Sequence, residues 1–203
     1  MLEASNLDCR RGRRTLFRDL SFSLRRGELL RIAGANGSGK TSLLKILCGL
    51  LTPDAGEVRW RGEPIRQLRE DFSRNLAYLG HAPAVKDDLT AAENLAFASK
   101  LAGAAAVPEF VQAALARYGI PADVPVRKLS QGQRRRAALA RLPLSESVPL
   151  WLLDEPFAAL DAHAARLTEA LIAGHVARGH AVVFTTHQEA DIGAAVLRVI
   201  ELG

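Results

Sequence analysis

Gly34-Ala35-Asn36-Gly37-Ser38-Gly39-Lys40-Thr41 carries the spacing G-x-x-x-x-G-K-[ST] in full. The chemistry of such a loop is the holding of phosphate. Its glycines let successive backbone N–H groups turn inward around anionic oxygens. A helix that starts at the loop adds the partial positive charge of its N-terminus. The lysine reaches the terminal phosphates and the following hydroxyl ligates magnesium. Lys40 and Thr41 occupy those two places, so the expected ligands are ATP and Mg2+. A chance lysine behind a glycine-rich turn is the ordinary alternative. The strand before the loop and the helix after it argue against that alternative.

A second cluster is acidic. The apolar run Leu150-Trp151-Leu152-Leu153 closes on Asp154-Glu155. Alone, this is an ordinary strand leaving the core at a charged loop. Beside a phosphate loop it specifies hydrolysis: Asp154 would hold the magnesium shell, and Glu155 would orient or deprotonate the attacking water.

These groups need elements to position them. Strand-like patterns cover Leu2–Leu7, Leu20–Leu24, Glu28–Ala33, Gly56–Arg61 and Leu76–Leu79, and Arg26-Gly27 marks a turn. The helix Thr41–Leu50 follows the phosphate loop. From Leu89 to Tyr118 the chain is alanine-rich and helical in pattern. Thr90-x-x-Glu93 forms a capping box there, and Gly103 and Pro108 break and restart the helix. Ala105–Ala106 and Pro121–Pro125 mark softer connections. The last third alternates: helix Gln131–Leu142, strand Leu150–Leu153, helix Ala162–Ala177, strand Ala181–Thr185, a short helix near Glu189–Gly193, and strand Val196–Ile200. Such alternation implies an α/β fold, a mostly parallel sheet flanked by helices, with ligands at the carboxyl ends of the strands.

Composition narrows the class. Of 203 residues, 48% are hydrophobic and 24% charged, a globular balance that fits one domain. No apolar run approaches the roughly 18 residues of a membrane span, so membrane residence would come through a partner. Met1-Leu2-Glu3-Ala4 has neither the basic nor the long apolar region of a signal peptide. Cys9 and Cys48 form no C-x-x-C pair, which suits reduced thiols rather than a disulfide framework or zinc site. The net charge of +5 falls in short arginine groups, including Arg25-Arg26 and Arg134–Arg136; a solvated face is the ordinary reading for most of them and the favoured one for Arg25-Arg26.

Leu129-Ser130-Gln131-Gly132-Gln133 precedes an arginine-rich helix, and Ser130-x-x-Gln133 is a second capping box. This run resembles the L-S-G-G-Q signature of ATP-binding-cassette (ABC) proteins, with Gln131 as the third residue. Ala159-Leu160-Asp161 resembles the family's D-loop, and His187 in Thr185-Thr186-His187-Gln188 its switch histidine. The resemblance spans the chain and implies a P-loop NTPase of ABC type as one domain, 1–203. Within it lie an N-terminal antiparallel β subdomain and a helical subdomain at about 82–140. It also implies that Gly34–Thr41 and Ser42 contact nucleotide, and that His187 acts at the γ-phosphate. Ser130, Gly132 and Asp161 would act across a homodimer. Where the family places an adenine-stacking aromatic, this chain has Arg11, whose planar guanidinium also stacks on bases. Where the family has a glutamine near the metal, it has His81, whose charge depends on pH.

Within the family, the chain is most similar to the ATPases that serve c-type cytochrome maturation. Arg14-Thr15-Leu16-Phe17, Gly56-Glu57-Val58-Arg59-Trp60, Gly80-His81 and Asp154-Glu155-Pro156-Phe157 carry that similarity. It implies an ATP hydrolase on the cytoplasmic side of a bacterial inner membrane, under integral membrane permease subunits, energising haem export or haem-chaperone release. Residues Ala82–Leu95 would contact the membrane partner. Rival expectations are the ATPase of another small-substrate or lipid exporter, a soluble cassette ATPase acting on nucleic acid, and a nucleotide-gated module without turnover. No second cassette or long coiled coil fits in 203 residues, so no nucleic-acid partner is expected, and Glu155 argues for turnover.

Overall fold

The computed structural model describes residues 1–103, 107–187, 192–193 and 197–203. A long hairpin opens the fold: β1 (Leu2–Arg11) pairs antiparallel with β2 (Arg14–Leu24). Next come β3 (Leu29–Gly34) and α1 (Lys40–Leu47), then β4 (Ala55–Trp60) and the short β5 (Glu63–Pro64). Two single-turn helices, α2 (Ile65–Leu68) and α3 (Glu70–Ser73), lead into β6 (Leu76–Leu79). Three helices separate β6 from β7: α4 (Ala91–Leu101), α5 (Pro108–Arg117) and α6 (Gln131–Leu139). The chain then alternates through β7 (Leu150–Asp154), α7 (Ala162–Ala177), β8 (Ala181–Thr185) and β9 (Leu197–Leu202).

Two sheets result. One has five strands in the order β6-β7-β8-β3-β9, every neighbouring pair parallel. The other has four antiparallel strands in the order β2-β1-β4-β5. In β7 successive side chains serve opposite cores, as the two-residue period of a strand requires. Trp151 and Leu153 pack with α4, α5, α6 and α7, whereas Leu150 and Leu152 pack with α1 and the antiparallel sheet. Val182 and Phe184 divide from Ala181 and Val183 in the same way. A strand buried on both faces reads as a continuous apolar run, which is why 150–153 was legible.

Most expected elements stand where the pattern put them, and several end differently. The first strands are longer than 2–7 and 20–24, because pairing carries β1 and β2 to the tip of their hairpin. The helix expected over 41–50 stops at Leu47. Leu50 and Leu51 N–H both return to the Lys45 carbonyl, and Gly49 takes a left-handed turn. The helix expected to reach 142 ends at Leu139, ahead of Pro143. Both capping boxes form: Thr90 Oγ1 accepts from Glu93 N–H at 3.1 Å, and Ser130 Oγ accepts from Gln133 N–H at 3.2 Å. The softer connection at 105–106 and most of the short helix expected at 189–193 lie outside the described residues, as does Val196.

α7 docks on the parallel sheet through a ring stack. His175 is fully buried, and its imidazole lies 3.7 Å from the Trp151 ring at 11°. Its Nε2 finds no hydrogen-bond partner, and burial pushes its pKa down to about 3. The folded chain therefore keeps His175 neutral at pH values where the unfolded chain, with an ordinary histidine near 6.5, takes up a proton. Stability is retained above that pH and declines below it, by about 1.4 kcal/mol per pH unit for this residue. Urea unfolding is expected to show a loss of about 2 kcal/mol from this source between pH 7 and pH 5. His175→Phe, which keeps the ring, should flatten that dependence.

Candidate active site

The phosphate loop begins where β3 ends. Gly34 has φ 135°, and any Cβ there would collide with the Leu202 carbonyl on β9, so only glycine fits. Gly39 has φ 108° and caps α1, which turns the first N–H groups of that helix toward the loop. Ala35 accepts from Ser38 N–H at 3.2 Å. Lys40 is buried; its Nζ donates to the Gly34 and Ala35 carbonyls at 2.7 and 3.0 Å. The ammonium thus lies folded over the loop, where an incoming phosphate oxygen can accept a further hydrogen bond from it.

Asp154 stands at the end of β7 with 1% of its surface exposed. Thr41 Oγ1 donates to its Oδ2 at 2.8 Å and Thr185 Oγ1 to its Oδ1 at 2.8 Å. Thr185 also accepts from Glu155 N–H at 2.9 Å, so one hydroxyl fixes both acids. Glu155 takes φ 51°, which turns its side chain away from the strand direction. His187 Nε2 lies 3.0 Å from Glu155 Oε1, and His187 N–H donates to Oε2 at 3.3 Å. The Thr41 hydroxyl and Asp154 carboxylate suit magnesium. Their 2.8 Å separation is close to the roughly 2.9 Å between adjacent oxygens of an octahedral magnesium shell. Among the described residues no cluster of three His, Cys, Asp or Glu forms a complete cage.

These groups converge. Asn36, Gly37, Gly39, Lys40, Thr41 and Ser42 share the walls of one recess of about 650 Å3 with Arg11, His81, Asp154, Glu155 and His187. Arg11 and Arg14 are register partners at the tip of the β1–β2 hairpin and both face this recess. Arg14, with Leu16 behind it, was not anticipated, although it lies only three residues from Arg11. Gly34, Ala35 and Ser38 do not line the recess. Ser130 and Gly132, at the start of α6, do not line the recess, and neither does Asp161, which caps α7 by accepting from Ala164 N–H at 2.8 Å.

The arginine run at 134–136 departs from the ordinary reading of a basic run. Instead of a solvated face, it is a set of three anchors. Arg134 Nη1 pairs with Asp87 at 2.9 Å, and its other nitrogens donate to the Leu129 and Arg127 carbonyls. Arg135 is buried. Its Nη1 donates to the Gly80 and His81 carbonyls at 2.9 and 3.3 Å, and its Nη2 to the Asp154 and Glu155 carbonyls at 2.6 Å each. Burial lowers its pKa, and the negative charges of Asp154 and Glu155 oppose that shift. Arg136 reaches Asp161 at 3.4 Å. The helical period gave no warning of this: Ala137, Ala138, Leu139 and Ala140 are all buried, so the positions three and four residues beyond each of the three arginines look alike.

Thr185 likewise escaped notice, because a threonine ending an apolar strand has no motif. Thr185→Val keeps the shape but leaves Asp154 Oδ1 and Glu155 N–H without their shared partner. We expect a stability loss of about 1–3 kcal/mol and a fall in ATP turnover of at least about tenfold. Thermal unfolding and a steady-state phosphate-release assay check the two parts.

The pattern that defines the family described as ABC transporter matches residues 17–158. The chain is 49% identical to the cytochrome c biogenesis ATP-binding export protein CcmA of Dechloromonas aromatica, over all of both chains. It is 54% identical to the protein of the same name from Aromatoleum aromaticum, over 94% of this chain and 90% of that one. Among solved structures it is similar to a dimeric post-hydrolysis state of the ATP-binding cassette MJ0796 bound to ADP and Pi. That match has a TM-score of 0.84 and 25% identity, and covers 100% of this chain and 94% of the other. The chain therefore belongs to the ABC transporter family, as one of its ATP-hydrolysing cassette subunits.

Proposed function

We propose that two copies of this chain hydrolyse ATP at shared sites. One copy supplies the phosphate loop, Thr41 and Asp154 for magnesium, Glu155 and His187 toward the γ-phosphate, and His81 and Arg11 at the rim. The other supplies Ser130, Gly132 and Asp161. The observation that carries this reading is the incompleteness of the recess. Its walls hold the loop, the acid pair and the histidine, while the exposed Ser130 and its N-terminal turn face elsewhere. The similar cassette MJ0796 is a dimer in its post-hydrolysis state with ADP and Pi. Magnesium, when bound with ATP, neutralises charge developing on the phosphate oxygens. Lys40 and the loop amides bind those oxygens. Glu155, steadied by His187 and the Thr185 hydroxyl, takes or orients a proton of the attacking water.

The names of the similar curated proteins support a role in cytochrome c biogenesis. On this reading the pair energises haem export or haem-chaperone release from the cytoplasmic side of the inner membrane, beneath integral membrane subunits. Among the described residues no helix is long and apolar enough to cross a membrane, which suits attachment through such subunits. Their contact would fall on the groove beside the His81 loop, where Val85, Lys86, Phe97 and Leu101 meet and Phe97 and Leu101 are exposed.

Two outcomes are expected. Glu155→Gln at saturating ATP and magnesium should run in solution at twice the 21.9 kDa chain mass; a mass that stays at one chain contradicts the shared site. Deletion of the gene in its host should abolish covalent haem attachment to c-type cytochromes while cytochrome synthesis continues. Normal holocytochrome levels in that strain count against the biogenesis role.

A further inference from the structure

α6 touches three separate parts of the molecule through three consecutive arginines. A helix turns about 100° per residue, so Arg134, Arg135 and Arg136 leave it in three directions. Arg134 holds Asp87 and the turn before α6, Arg135 holds the four carbonyls of Gly80, His81, Asp154 and Glu155, and Arg136 holds Asp161. The N-terminus of the same helix is fixed by the Ser130–Gln133 capping box. It is also packed tightly against the 157–161 loop: a Cβ on Gly132 would lie 3.1 Å from the Ala159 carbonyl.

The four carbonyls on Arg135 belong to two segments with different duties. Gly80 and His81 follow β6 and lead into the groove that carries Val85 and Phe97; Asp154 and Glu155 end β7 at the recess. Backbone carbonyls are weak points of control unless something joins them. Here one planar, buried guanidinium does so, with two bonds to each segment. Its Nε has no partner, so its hydrogen bonding is spent wholly on this bridge. The fork geometry matters, because a single ammonium on a flexible stem cannot hold two pairs of acceptors at fixed separation.

We infer that α6 is the rod that makes hydrolysis at a chain's own Glu155 depend on the engagement of its Ser130 end by the second copy's nucleotide, with Arg135 as the positioning residue. The inference rests on the shared-site reading above. Arg135 lies five residues beyond Ser130, about 7.5 Å along the axis. A hydrogen-bonded helix of this length transmits a shift at one end to the other. When the second copy's phosphates draw in the Ser130 end, the Arg135 fork moves against the Asp154–Glu155 peptide and the Gly80–His81 peptide together. Glu155 and the His81 loop are then set in the same step, so the two sites of a pair fire cooperatively. The Arg134–Asp87 and Arg136–Asp161 contacts keep the rod from rotating while it moves.

The test uses Arg135→Gln and Arg135→Lys in the full chain. Both should bind ATP within about threefold of the parent, because neither touches the phosphate loop, yet turn over at least about tenfold more slowly. Their rate against ATP concentration should lose its sigmoid shape, with lysine recovering only a minor part. A purely structural role would instead lower nucleotide affinity and unfolding temperature together, and that result overturns the inference. So does a Gln variant with full, sigmoid turnover. In the Glu155→Gln background, Arg135→Gln should still pair on ATP. Failure of Glu155→Gln alone to pair sinks the shared site, whereas pairing with unchanged cooperativity in Arg135→Gln sinks only the rod. Should both variants misfold, hydrogen exchange on the Glu155→Gln chain remains decisive. ATP-driven pairing should slow the backbone amides at 80–82 and 154–156 together, and unchanged exchange in either segment contradicts the coupling.

Discussion

A carboxylate at 1% exposure, at the end of a strand whose other four side chains are all apolar and buried, is stable as an anion only if donors reach both its oxygens. Asp154 meets that condition with Thr41 from the start of α1 and Thr185 from the end of β8. The constraint is mutual. Thr41 can reach only if α1 begins directly after the phosphate loop, and Thr185 only if β8 runs parallel to β7 in the observed register, Asp154 beside Thr185. The sheet order, the loop and the acid pair are thus one arrangement. A hydroxyl and a carboxylate oxygen that face each other at 2.8 Å also leave the smallest change needed to admit a cation between protein and phosphate.

Around that fixed centre the chain distributes its positive charge unevenly. Lys40 is folded onto its own loop, Arg11 and Arg14 overhang the recess, and Arg135 lies underneath, bridging the acid pair to the His81 loop. The hydrolytic carboxylate is therefore held from three sides: Thr185 through its backbone, His187 at its side chain and Arg135 through its carbonyl. Each support comes from a different element, so movement of β8's exit, of α6 or of the loop after β6 reaches Glu155.

What could be seen in the residues alone followed the range of the signal. The phosphate loop, both capping boxes and the doubly buried strands are local patterns, where spacing within a few residues carries the physics. Long-range facts were less visible. The pairing of β1 with β4 across some fifty residues has no local mark, and neither does the placing of β3 between β8 and β9. The resemblance to ABC proteins, not periodicity, supplied the antiparallel sheet. Arg135 was hidden in a basic run because charge averages hide direction, and the uniformly buried run 137–140 gives the helical period nothing by which to tell it from its two neighbours. Thr185 and Arg14 act through a partner that folding brings to them, which composition does not show.

On the proposed reading two chains make each site, since the recess of one copy contains the phosphate loop and the acids but not Ser130 or Gly132. The most direct measurement mixes two inactive proteins. Lys40→Ala destroys the phosphate half of its own site; Gly132→Asp, crowded against the Ala159 carbonyl, destroys the half offered to a second chain. A mixed pair joins the intact phosphate loop of one with the intact signature of the other, so it contains one whole site. Equal mixing should restore ATP hydrolysis to about a quarter of the unmodified rate if chains pair at random and sites act singly, and less if both must fire. Mixtures that stay as inactive as either protein alone, while forming mixed pairs, would contradict the shared site.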